Sequence, residues 1–200
     1  MTRWLENPEG GRNRGLRGIG RAWIEVLVRP SRFFRSDVAP GDQAPGLTFA
    51  MTVVLIEETI RLILVPAAAP TALGEPPLAS LIVVGLAVML VTPAALHLVA
   101  AIQTLLLIPT APDRGGTSET VQVFAYAAAP CVFAGIPAPW LRIGCTAYGT
   151  VLLFIGLRER HGITFTRAGL VGALPAAIVF GYGFRGFDAI ASLLARWYII

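Results

Sequence analysis

Apolar positions fall into five runs along the chain, at about 47–66, 78–108, 119–136, 140–157 and 168–184, separated by short stretches rich in proline, glycine and charge. A helix rising 1.5 Å per residue needs about 20 such residues to cross a hydrocarbon core of about 30 Å. The pattern therefore predicts an all-α membrane protein, a bundle of five transmembrane helices. Ahead of the bundle the spacing changes. Leu16, Ile19, Trp23, Val26 and Leu27 recur at helical intervals, while Arg21, Glu25 and Arg29 follow one another at i, i+4 on another face. This predicts an N-terminal amphipathic helix within about 16–34, which Pro30 ends. Two placements fit it: in the bilayer interface, with Trp23 buried and Arg21, Arg29 and Arg32 facing anionic headgroups, or docked on the bundle as a cytosolic helix. Phe33 and Phe34 read as membrane or packing anchors.

The remaining stretches complete the organisation. Residues 1–15 are rich in Gly, Arg, Asn and Pro and predict disorder, and 36–46 form a linker. Residues 1–46 are then a basic cytoplasmic arm, 47–184 a membrane domain, and 185–200 an interfacial tail too short to cross. Pro93 divides the second run into halves that are each too short to span, which favours one kinked helix over two crossings and leaves a re-entrant pair as the alternative. In the third run Ser118 is the expected N-cap, Glu119 sits in the first turn, and Pro130 introduces a kink. Pro137 and Pro139 end that helix and force a tight hairpin into the fourth run. Small residues four apart, at Ala125 with Ala129, Cys145 with Gly149 and Gly172 with Ala176, predict close helix contacts and leave room for a homo-oligomer.

Charge inside the apolar runs singles out candidate chemistry. Glu57, Glu58 and Arg61 lie in the first run, where insertion of each ionised group costs about 2.5 to 3.5 kcal/mol. Arg61 is i+4 from Glu57 and i+3 from Glu58, so either carboxylate can pair with it while the other stays protonated. The group is a proton or cation site, or an internal ion pair that fixes helix orientation. His97 lies one turn past Pro93 and could join a polar path, although a lone histidine there also serves as a hydrogen-bonded packing residue. His161, placed in a basic loop, is the only other histidine, so no metal site assembles from motif spacing.

Composition adds limits. Only 14% of the 200 residues are charged, well under the share of about a quarter usual in soluble domains. Cys131 and Cys145 fall in apolar runs and suggest neither a disulfide framework nor a redox motif. Residues 1–46 lack an apolar core suited to a signal peptide, so the spans themselves are expected to direct insertion. No phosphate loop, hydrolase elbow or zinc-protease motif appears, and neither an enzyme nor a cofactor is expected. All basic residues are arginine. Twelve of them, eight in the arm together with Arg114, Arg158, Arg160 and Arg167, fall on one side of a five-span topology against three on the other. This places the N-terminus in the cytoplasm and the C-terminus opposite. The arm mixes five acidic residues with its arginines and adjoins a membrane, which favours lipid headgroups over nucleic acid.

Arg29-Pro30 followed by Phe33-Phe34, then Tyr126-Ala127-Ala128-Ala129-Pro130, Ile136-Pro137, Gly156 and His161-Gly162-Ile163-Thr164 together resemble the Yip family of five-span membrane proteins, over the chain from Arg29 to about Phe184. The resemblance implies an integral membrane protein with a cytoplasmic arm, no enzymatic chemistry and, by the association of eukaryotic members with Rab-type GTPases, a membrane-protein or GTPase partner. This shorter chain is more similar to the prokaryotic-type branch. The family-motif positions are Pro30, Tyr126, Pro130, Pro137 and His161, and no family role falls on Glu57, Glu58 or Arg61. Two functions follow. One is a non-enzymatic scaffold or adaptor in membrane organisation, recruiting a partner or sensing lipid through its arm. The alternative is a small transporter or channel component using Glu57, Glu58, Arg61 and His97.

Overall fold

A computed structural model describes residues 15–70 and 76–197. The expected disorder of residues 1–14 and part of the Pro-rich loop, 71–75, fall outside the described residues. Those described form helices and turns only: α1 (Leu16–Val28), α2 (Pro30–Ser36), α3 (Ala44–Leu64), α4 (Pro76–Leu86), α5 (Thr92–Leu107), α6 (Thr117–Ala127), α7 (Pro139–His161), α8 (Phe165–Ala176) and α9 (Gly186–Arg196). Among the described residues, three helical stretches are long and apolar enough to cross a membrane, Pro77–Leu107, Pro139–His161 and Phe165–Gly183. Helix α3 has comparable length, 21 residues, but carries Glu57, Glu58 and Arg61.

A proline and a π segment adjoin one another in two of the long stretches. A proline lacks the N–H that would bond to residue i−4, and its ring collides with that carbonyl. Before Pro93 the helix widens into a π turn over Ala87–Val91, so α4 and α5 join as one continuous bent rod. Pro175 lies in α8, and a second π segment follows at Ala177–Gly183. The single-helix reading of the second run therefore describes the fold, and the re-entrant pair does not. Gln103, fully buried on α5, donates from Nε2 to Val171 O at 3.3 Å. Val171 is the residue whose carbonyl Pro175 leaves without its helical donor.

The third run departs most from expectation. It is not one α-helix to Ile136, because α6 stops at Ala127 and tightens into a 3-10 turn over Ala129–Phe133. Pro130 removes the donor that an α-helix would need there. The helix begins at Thr117 with Gly116 as N-cap, so Ser118 lies inside the first turn. Gly116 has no side chain to contribute, and the terminus is closed by Glu119, whose Oε2 accepts from Gly116 N at 2.5 Å. Residues 119–132 are all buried, which makes this segment the hub around which α3, α5 and α7 pack. Helix α7 also runs beyond its expected end to include Arg158, Arg160 and His161, leaving Gly162, at φ +64, to end it in the left-handed conformation. His161 is thus the last residue of a helix, buried against Thr120 at 3.4 Å, and not part of a loop.

Candidate functional site

The arm is built onto the bundle through an aromatic chain. Ala22 and Val26 of α1 are wholly buried, and Trp23 donates its indole N–H to Ala129 O at 2.9 Å. The Trp23 ring packs on Phe49 of α3 at 4.9 Å, Phe49 on Tyr126 of α6 at 5.0 Å, Tyr126 on Phe33 of α2 at 4.8 Å, and Phe33 edge-on against Phe34 at 5.6 Å. Centroid separations of this size give each pair about 0.5 to 1.5 kcal/mol beyond its buried area. Phe34 closes on α7 at Gly156, where a Cβ would lie 3.1 Å from its ring. The Tyr148 hydroxyl donates to Leu27 O at 2.5 Å. The linker is pinned too, since Gln122 accepts from Ala39 N at 3.3 Å and donates to Ala39 O at 2.7 Å.

Docking leaves the opposite face of α1 outward. Arg17, Arg21, Ile24 and Val28 are exposed, as are Arg29 and Arg32 beyond them. Apolar and basic side chains sharing one outward face suit the boundary between headgroups and acyl chains. Arg35 extends this surface to the end of α7, where it pairs with Glu159 at 2.9 Å, and Arg160 pairs with Glu119 and donates to Arg35 O at 3.3 Å. Arg167 donates to Thr110 O at 3.2 Å. The arm, the 108–116 linker and the α7–α8 turn therefore meet at one end of the bundle.

The other end holds the charges of α3. Arg61 pairs with Glu58 at 2.6 Å, and Glu57 pairs with Arg185 instead, which also reaches Glu58 at 3.0 Å. Two carboxylates and two guanidiniums thus cross-pair, and Glu57 is 2% exposed. Arg185 stands between the second π segment and α9 with φ +57, a left-handed backbone that costs a non-glycine residue about 1 to 2 kcal/mol. Burial lowers its pKa, but the Glu57 and Glu58 charges outweigh burial and hold it above the ordinary arginine value. Gly135 touches the same place: a Cβ there would sit 2.1 Å from Glu57 O, so only glycine lets the turn after the 3-10 segment meet α3.

His97 is not part of this cluster. It is exposed on α5, with Nδ1 at 2.7 Å from Pro93 O. Arg185, Glu119 and Glu159 were not legible as site residues. An isolated arginine directly after an apolar run is the one signal that could have marked Arg185. Among the described residues no three His, Cys, Asp or Glu side chains gather as a metal site. Cys131 and Cys145 are buried free thiols.

A family model described as the Yip1 domain matches residues 24–184. The chain belongs to the Yip family. The match begins within α1 and ends after the second π segment, so the Yip1 domain takes in most of the docked arm as well as the bundle. It includes the aromatic chain from Phe49 to Phe34 and the α3 charges Glu57, Glu58 and Arg61, while Arg185 lies one residue beyond it. No curated protein and no solved structure matches the chain.

Proposed function

We propose that this membrane protein is a non-enzymatic adaptor whose arm presents a fixed basic surface to a partner at the cytoplasmic face. The observation that carries the reading is the Trp23 N–H bond to Ala129 O, which fastens the inner face of α1 while Arg17, Arg21, Arg29 and Arg32 stay exposed. A tethered but disordered arm would lose entropy on binding; a docked one has already lost it. Anionic headgroups beside the arm add about 1 kcal/mol per arginine and hold the surface at the membrane. The arginine distribution, together with the meeting of the arm and the two linkers at one end, supports five crossings with that end cytoplasmic. The cross-paired Glu57, Glu58, Arg61 and Arg185 support a structural tie over a transport path, because each charge has a partner of opposite sign.

Crosslinking and co-purification from native membranes test the proposal, comparing the intact chain with an Arg21→Gln, Arg29→Gln, Arg32→Gln variant. A stoichiometric partner that is lost from the folded variant is the expected result. A partner retained at full stoichiometry contradicts it.

A further inference from the structure

A cleft of about 500 Å³ runs beside the charge cluster, between α3, α5, α6 and the second π segment. Its volume falls in the range of about 300 to 1,000 Å³ typical of small-molecule sites. Both π segments contribute to it, through Ala87 and Val91 on one side and Ile178, Val179, Tyr182 and Gly183 on the other. Such π bulges are frequent at functional sites. Met89, Leu90 and Val91 beside it are 70%, 62% and 58% exposed, so the cleft opens onto a surface that must face hydrocarbon.

The polarity of the cleft is one-sided. Its walls are mostly aliphatic and aromatic, Thr92 and Tyr182 are neutral polar members, and its acidic lining residues are Glu57 and Glu58, whereas neither Arg61 nor Arg185 lines it. A carboxylate only accepts hydrogen bonds and offers about four lone-pair positions, more than the arginines occupy here. An apolar chain fits the walls, and its polar end must donate. An anionic headgroup would be repelled, and a trimethylated amine has no proton to give.

We propose that this cleft holds one membrane amphiphile, its chain between the two π segments and a protonated amine headgroup at Glu57 and Glu58. The inference is independent of the adaptor reading, because the cleft lies away from the basic face of the arm. The test uses the full chain reconstituted in nanodiscs containing equal phosphatidylethanolamine and phosphatidylcholine, followed by delipidation and native mass spectrometry. The expected result is one retained lipid, with the ethanolamine form in about tenfold excess. Ala95→Trp fills the cleft from an exposed wall position without touching the ion pairs, and retention should fall about tenfold. Glu58→Gln should abolish the headgroup preference while the chain is still bound. Equal retention of the two headgroups, or unchanged retention in Ala95→Trp, overturns the proposal. So does a lipid-free dimer that Ala95→Trp dissociates, which would make the occupant a second copy of the chain.

Discussion

Gln103 donates to the carbonyl of Val171, the acceptor that Pro175 deprives of its helical N–H. The two residues sit on different helices, 68 positions apart. An unpaired carbonyl in an apolar interior is costly, and the amide of a neighbouring helix removes that cost. Gln103→Leu should therefore lower stability by about 0.6 to 2 kcal/mol, the range of interhelical hydrogen bonds in membranes. In combination with Pro175→Ala the loss should shrink, because an alanine N–H can serve Val171 again. Thermal unfolding of the two single variants and the double variant in detergent measures this coupling.

The Glu57–Arg185 pair should behave as a buried ion pair. Removing Glu57 leaves Arg185 and Arg61 to share the single carboxylate of Glu58, so Glu57→Ala is expected to destabilise the fold by less than the roughly 3 to 5 kcal/mol of a fully unmatched buried charge. Replacing both by leucine should cost much less than the sum of the two single substitutions. A double-mutant cycle on unfolding midpoints checks the sign of the interaction.

Gly135→Ala should disturb the same end of the bundle without altering any charge. The added Cβ would lie 2.1 Å from Glu57 O, and backbone at that distance has to move. The expected readout is a lowered unfolding temperature with greater hydrogen exchange in both the 134–138 turn and the last turns of α3. Exchange unchanged in α3 would show that the contact is slack.

Trp23 separates two contributions to docking. Trp23→Phe keeps a ring on Phe49 and loses the bond to Ala129, a change worth about 1 kcal/mol. Trp23→Ala removes both and should release α1, seen as faster proteolysis in the linker at 37–43. Equal proteolysis of the two variants would mean that the ring, and not the hydrogen bond, contributes nothing to docking.

Much of the architecture was legible because its causes are local. The apolar run at 78–108 with Pro93 indicates a single bent helix, and Pro30, at the first position of α2, marks where α1 gives way to it. The Arg61–Glu58 pair follows from helical spacing alone. What escaped depends on contacts between distant positions. Arg185 lies 128 residues from Glu57, and its backbone takes a left-handed turn that nothing in Gly-Phe-Arg-Gly announces. The break at Ala127 was read as a kink because a proline allows either outcome, and burial on every side selects the tighter 3-10 turn. His161 was assigned to a loop on the strength of its charged neighbours, whereas those arginines continue α7 by pairing with Glu119 and Glu159. Of the two placements weighed for α1, docking on the bundle describes the structure: Trp23, which the interfacial reading would bury in the bilayer, packs on Phe49 and bonds to Ala129.

The adaptor surface depends on an arm that is fixed to the bundle, and a photo-crosslinker at Tyr148 tests this most directly. The Tyr148 hydroxyl lies 2.5 Å from Leu27 O. With benzoylphenylalanine in place of Tyr148, illumination of native membranes should give an intramolecular adduct mapping to residues 24–28. Adducts to lipid alone, with α1 unmodified, would contradict the docked arm and with it the adaptor surface.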